Sequence, residues 1–272
     1  MPMIPWPDGR SVPVLGQGTW RMGEDPARRQ EEVRALQAGI DAGLTLIDTA
    51  EMYGEGGAEE VVGEAIRGRR QQVFLVSKVL PQNASRRRLP QALAGSLRRL
   101  GTDVLDCYLL HWQGSVPLAE TAEALERARE AGLIRSWGVS NLDLEELASL
   151  PPGCATNQVL LHAGERGVEY ALLPWMRQRG MPLMAYSPLG QGQLLRHPVL
   201  RQVAARHGAT PAQVALAFVL RQPGVLAIPK TATAARAAEN AAAARLRLPA
   251  EEWAVLDAAF PPPRRRRPLA ML

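Results

Sequence analysis

Eight times along the chain a short apolar run gives way to a polar turn and then to a segment of helical period. The runs fall at 15–18, 45–48, 73–77, 104–110, 134–139, 155–160, 183–186 and 225–228. The helical segments fall at 26–42, 57–68, 85–99, 117–131, 143–149, 170–179, a pair at 198–207 and 211–221, and 234–244. Strands that alternate with helices lie parallel, because each helix carries the chain back to the edge where it started. Eight such units in 272 residues, with no linker or composition shift, match the size of one (β/α)8 barrel and predict a single domain over 1–272.

Local signals support these boundaries. Thr210-Pro211 pairs a helix N-cap with a proline at the first helical position, and Gly132, Gly180 and Gly208 stand where left-handed caps close the helices before them. Residues 3–14 read as an N-terminal β-hairpin turning at Asp8-Gly9, expected to plug the barrel floor, and a short extra helix near 250–259 precedes the break at Pro261-Pro262-Pro263 and the C-terminal tail. A doubly wound sheet is the competing α/β architecture, but its dinucleotide fingerprint is missing. Gly16-Gln17-Gly18, Gly54-Glu55-Gly56 and Gly190-Gln191-Gly192 would each need a third glycine, where the chain has Arg21, Glu59 and Leu195. They read as βα turns.

Composition narrows the function classes. The chain has no apolar run near the ~18 residues a membrane span needs and no basic-then-apolar leader within 1–10, so a cytoplasmic protein without a membrane partner is expected. Cys107 and Cys154 sit in strand-like runs, as reduced core thiols do, and no metal-ligand spacing is present. The net charge is +5, but outside Arg86–Arg88 and Arg264–Arg267 the basic residues are scattered, which predicts a solvated tail and no nucleic-acid partner. The identity of the bases says more: of 32 basic residues only Lys78 and Lys230 are lysines, leaving 30 arginines. A chain that uses arginine wherever a positive charge suffices implies a lysine-specific need at these two positions, such as a compact ammonium whose pKa responds to burial.

Chemistry in such a barrel sits where strands end C-terminally. There the second strand carries Asp48 with Tyr53 in its loop, the third Lys78, and the fourth His111. Singly, an Asp–Lys pair is often a structural ion pair, and a histidine beside a tryptophan is often a packed ring. Three adjacent strands placing a carboxylate, a phenol, an ammonium and an imidazole around one mouth favour a shared task. A free phenol has a pKa near ~10, and an adjacent ammonium is expected to lower it. Asp48 would then hold Lys78, Tyr53 would serve as proton donor, and His111 would orient a substrate carbonyl. The set offers neither metal nor nucleophile, so carbonyl reduction would draw hydride from a cofactor.

The four residues, in order and strand position, resemble the catalytic tetrad of the aldo-keto reductase family, and the resemblance runs from about Gly16 to Trp253. It implies NADPH across the barrel mouth. Ser140, Asn141 and Gln158 match the residues that hold the nicotinamide amide, Tyr186 the ring on which nicotinamide stacks, and Ser187 and Leu189 lie near the pyrophosphate. Lys230, Thr231 and Arg236 match the grip on the 2′-phosphate, and Glu239 and Asn240 the adenine contacts; a phosphate there also suits a helix N-terminus. Without the resemblance, Ser140-Asn141 reads as a cap for 143–149, Tyr186 as a packing ring, and Lys230 with Arg236 as a solvated helix start.

Trp20, Met52 and Trp112 would wall the substrate side. The loop at 113–116 is short and the tail after Trp253 carries no obvious specificity loop, so a shallow, open site is expected. The chain is most similar to compact bacterial members that reduce small aldehydes and α-oxoaldehydes such as methylglyoxal, or small keto-sugar acids, and it is expected to act as a monomer. Two other readings stay open: a redox-sensing module that keeps the cofactor with little turnover, and a Schiff-base enzyme with Lys78 as nucleophile.

Overall fold

The computed structural model describes all 272 residues, Met1–Leu272. A two-stranded antiparallel hairpin, β1 (Met3–Pro5) and β2 (Ser11–Pro13), pairs Ile4 with Val12. The barrel strands follow: β3 (Gln17–Gly18), β4 (Leu46–Asp48), β5 (Phe74–Val79), β6 (Cys107–Leu110), β7 (Trp137–Ser140), β8 (Cys154–Leu160), β9 (Leu183–Tyr186) and β10 (Val225–Ala227). Each pairs in parallel with its neighbour in chain order. The first and last strands close the ring: the Gly16 N–H donates to the Ala227 carbonyl at 2.9 Å, and Gly18 to Pro229 at 3.0 Å. A side chain at Gly18 would put its Cβ 2.8 Å from the Ile228 carbonyl, so the seam needs glycine there. Gln17-Gly18 is thus the first barrel strand, as the run at 15–18 predicts, and the reading of Gly16–Gly18 as a βα turn does not hold.

Ten α-helices surround the barrel: α1 (Arg29–Asp41), α2 (Gly57–Ala65), α3 (Leu89–Leu100), α4 (Leu118–Glu130), α5 (Leu144–Ala148), α6 (Leu172–Gln178), α7 (Pro198–Arg206), α8 (Pro211–Leu220), α9 (Ala234–Ala243) and α10 (Ala250–Ala259). Thr210 caps α8 through its side chain, and Gln213 completes a capping box. Helix α3 begins four residues later than the expected 85, because Pro90 is tolerated only in a first turn. No helix is long and apolar enough to cross a membrane.

The two-residue period of the strands sorts the core into layers. Leu46, Phe74, Val76, Cys107, Leu109, Met184 and Leu226 fill the barrel interior, while Ile47, Leu75, Tyr108, Leu110, Ala185 and Ala227 face the helices. Trp6 and Val12 of the hairpin pack against the interior layer, and the Trp6 indole N–H donates to Ser136 Oγ at 3.0 Å. The floor is plugged as expected. Truncating so buried a tryptophan to alanine costs about 3–5 kcal/mol.

Parity then dictates what reaches the mouth. Asp48 stands two residues beyond Leu46, Lys78 two beyond Val76, His111 two beyond Leu109 and Tyr186 two beyond Met184, all on the inward register. Strand β8 departs from it. Between the pairs Trp137–Cys154 and Val139–Asn157, two steps on β7 oppose three on β8, which marks a bulge. Ala155 accordingly points in, whereas Val159, four residues on, points out. The extra residue turns Gln158 toward the interior.

Candidate active site

At the centre is a fully buried ammonium. Lys78, with 0% side-chain exposure, donates from Nζ to Asp48 Oδ2 at 2.8 Å, to the Thr49 carbonyl at 2.9 Å and to Tyr53 Oη at 3.1 Å. An ammonium has three donors, and each meets one acceptor. A planar guanidinium, larger and with five donors, does not match this set, which accounts for a lysine here in a chain of arginines. Asp48 is itself clamped: Gln158 Nε2 donates to Oδ1 at 2.7 Å, and the Thr19 hydroxyl donates to its main-chain carbonyl at 3.0 Å.

The electrostatics follow from burial. Desolvation pulls the Lys78 ammonium down, but Asp48 and Tyr53 outweigh it and hold the group above its ordinary value. Burial raises the Asp48 carboxyl, with Lys78 and Gln158 pulling it back. For Tyr53 the expected lowering is overturned. Burial pushes the phenol above its ordinary value, and Lys78 offsets only part of this. Burial, with Lys78 adding, depresses His111 to about 2, so its imidazole is neutral at any working pH. The His111 ring lies edge-on to Tyr53 with centroids 5.7 Å apart, and its Nδ1 is buried without a partner. That assigns the N–H to Nε2, because a buried unpaired lone pair costs less than a buried unpaired donor.

A cavity of about 390 Å³ opens above this set, lined by Trp20, Asp48, Met52, Tyr53, His111, Trp112, Ser140, Asn141, Gln158 and Tyr186, among others. An adjoining cleft of about 720 Å³ carries Ser187, Leu189, Lys230, Thr231, Arg236, Glu239 and Asn240. The fold thus gathers every candidate site residue at one mouth, with Lys78 directly beneath. The alternative roles recede. Asp143, in a capping box with Glu146, caps α5, which leaves Ser140 and Asn141 free of that task. Asn141, at φ +60°, accepts on Oδ1 from Tyr186 Oη at 3.0 Å and donates through Nδ2 to the His111 carbonyl. Lys230 and Arg236 face the cleft without an ion-pair partner.

Other contributors carried no signal in the sequence. Arg21, in left-handed backbone at φ +64°, stacks its guanidinium 4.6 Å over the Trp20 ring and lines the cleft. The C-terminal tail, expected to be solvated, instead reaches the site. Arg266 bonds Asp143 at 3.0 Å and also Glu145, Leu269 packs on the core, and Leu272 lines the cavity with its N–H donating to Tyr186 Oη at 3.3 Å. The tail is a wall of the pocket because Arg266 ties it to the start of α5.

Residues 14–260 match the sequence profile of the Aldo/keto reductase family. The chain belongs to that family. This aldo/keto reductase is 53% identical to methylglyoxal reductase YeaE of Escherichia coli (strain K12), with 99% of each chain covered. It is 36% identical to glyoxal reductase of Bacillus subtilis (strain 168), over 92% of this chain and 90% of the relative. It superposes with a TM-score of 0.97 on a Klebsiella pneumoniae aldo/keto reductase crystallised with NADP and acetate, at 52% identity and 99% coverage of both chains.

Proposed function

We propose that this aldo/keto reductase reduces small aldehydes, α-oxoaldehydes such as methylglyoxal in particular, to alcohols with NADPH. The observation that carries the reading is the buried Lys78 ammonium hydrogen-bonded to the phenol that faces the cavity. The names of the relatives point the same way.

The cavity and cleft fit the cofactor, with amide-binding groups at one end and two unpaired cations at the other. Ser140, Asn141 and Gln158 would hold the carboxamide, Tyr186 the nicotinamide face, Ser187 and Leu189 the pyrophosphate, Lys230, Thr231 and Arg236 the 2′-phosphate, and Glu239 and Asn240 the adenine. When bound, NADPH supplies the hydride. The protein handles the oxygen. Tyr53 holds its proton at neutral pH and releases it to the carbonyl oxygen as negative charge gathers there. Lys78 stays bonded to the phenolate left behind, and Asp48 keeps Lys78 in place. The neutral His111 donates to the same oxygen and sets its direction, while Trp20, Met52, Trp112 and Leu272 wall the cavity around it. One chain furnishes every group, so we place the working unit in a monomer.

Lys78 is a poor Schiff-base nucleophile, since its amine is buried, charged and bonded in all three directions. No feature of the site favours a sensing module over turnover. Tyr53→Phe is expected to abolish NADPH-dependent reduction of methylglyoxal while leaving the Kd for NADPH unchanged; full turnover in that variant sinks the assignment.

A further inference from the structure

Gln158 stands where two halves of the site meet. It is 2% exposed, its Nε2 lies 2.7 Å from Asp48 Oδ1 and 2.8 Å from Met184 Sδ, and it lines the cavity. A carboxylate only accepts, so the NH2 end of the amide must face Asp48. The carbonyl end is therefore turned away from Asp48, and Oε1 meets no donor within the protein. Asp48 has one donor per oxygen, Lys78 on Oδ2 and Gln158 on Oδ1. The Lys78 ammonium on Oδ2 supplies the opposite charge that a buried carboxylate needs, and in that form both oxygens are matched. The bulge in β8 aims Gln158 here, against the parity of Ala155.

We propose that Gln158 is a positioning residue for the proton donor: its NH2 keeps Asp48 a carboxylate and so keeps Lys78 charged beneath Tyr53, while its Oε1 is left for the carboxamide bond already assigned to it above. One side chain thereby joins cofactor docking to the poise of the proton donor. The first bond stands on the geometry alone; the second rests on the NADPH reading above. The titratable groups facing Asp48 are Lys78 from β5, Tyr53 from the loop after β4 and, across Lys78, His111 after β6; β3 and β9 present only the Thr19 hydroxyl and Met184. Losing the Gln158 donor leaves Lys78 as the sole partner opposing burial.

The test is the titration of the Asp48 carboxyl carbon, followed by 13C NMR in cofactor-free protein labelled at aspartate, with Asp48→Asn to assign the resonance. In Gln158→Met the protonation midpoint should rise by about one to two pH units, the worth of one charge-assisted hydrogen bond. Should that variant not fold, Gln158→Glu carries the same test. Its carboxyl can keep the bond only while protonated, so the pair should take up a proton at a higher pH than Asp48 does in the parent. An Asp48 midpoint unchanged in whichever variant folds overturns the first bond. A Kd for NADPH in Gln158→Met within about twofold of the parent overturns the second. The titration needs neither cofactor nor turnover, so it is read even where the reductase assignment fails, and failure of that assignment shows separately as an unmodified protein inert toward methylglyoxal.

Discussion

Lys78→Met retains the length of the side chain and removes its charge and its three donors. Nζ has 0% exposure and bonds Asp48, Thr49 and Tyr53, so the loss falls on two groups at once. Asp48, left with Gln158 alone, becomes a nearly uncompensated buried carboxylate, which costs about 3–5 kcal/mol of fold stability. Tyr53 loses the cation that stabilises its phenolate. That is equivalent to removing one preorganised donor from a developing anion and lowers kcat about 100- to 1000-fold. Lys78 does not line the cavity, so KM for methylglyoxal and Kd for NADPH should hold. NADPH absorbance decay gives kcat, NADPH fluorescence gives Kd, and urea unfolding gives stability. Lys78→Arg should do no better than Met, because a planar fork does not fill a three-acceptor site. Pairing Lys78→Met with Asp48→Asn should restore stability without restoring turnover. A Lys78→Met enzyme with kcat within about threefold of the parent refutes the role given to the ammonium.

Arg236→Ala should raise KM for NADPH roughly 10- to 100-fold by deleting a charge-assisted contact, and leave KM for NADH unmoved; an equal effect on both cofactors places Arg236 outside the 2′-phosphate site. His111 gives a pH prediction. Its folded-state pKa is depressed, to about 2, so the unfolded chain takes up a proton below roughly 6.5 that the fold refuses. Stability should fall with acid by up to about 1.4 kcal/mol per pH unit, or about 1.6 kcal/mol between pH 6.5 and 5. His111→Gln should flatten that slope in urea unfolding, and an unaltered slope is the contrary result. Arg266→Ala should leave fold stability nearly untouched, its ion pairs being solvated, but raise KM for methylglyoxal and speed proteolysis of the tail; an unchanged KM removes Leu272 from the pocket wall.

The fold was legible because each of its signals is local. Alternation of apolar runs with helical segments, a proline and threonine at the start of α8, and glycines after α4, α6 and α7 each act within a few residues. The tetrad was legible for a related reason: strand parity carries Asp48, Lys78 and His111 to the same end of the same layer. What stayed hidden depends on contacts between distant parts of the chain. The bulge that turns Gln158 inward is a relation between β7 and β8, and nothing in Ala155–Gln158 announces it. The link from Arg266 to Asp143 and Glu145 spans more than 120 residues. A run of four arginines after three prolines reads as solvent-exposed until that partner is known.

The direction of the Tyr53 shift carries the chemistry furthest. An adjacent ammonium argues for a lowered pKa, and by proximity alone that is sound, yet burial acts on the same hydroxyl and exceeds it. The outcome suits a proton donor better than the expectation did. A donor in reduction must keep its proton until the oxygen it serves has become more basic than a phenolate, and a buried phenol does so. Lys78 then matters for the state after transfer, when a phenolate would otherwise be stranded away from water. Asp48 and Gln158 matter because an ammonium is held at that depth only by a carboxylate that is itself held. The scarcity of lysine explains Lys78 through its three matched bonds, whereas Lys230, on the cleft without a bonded partner, shows no such requirement.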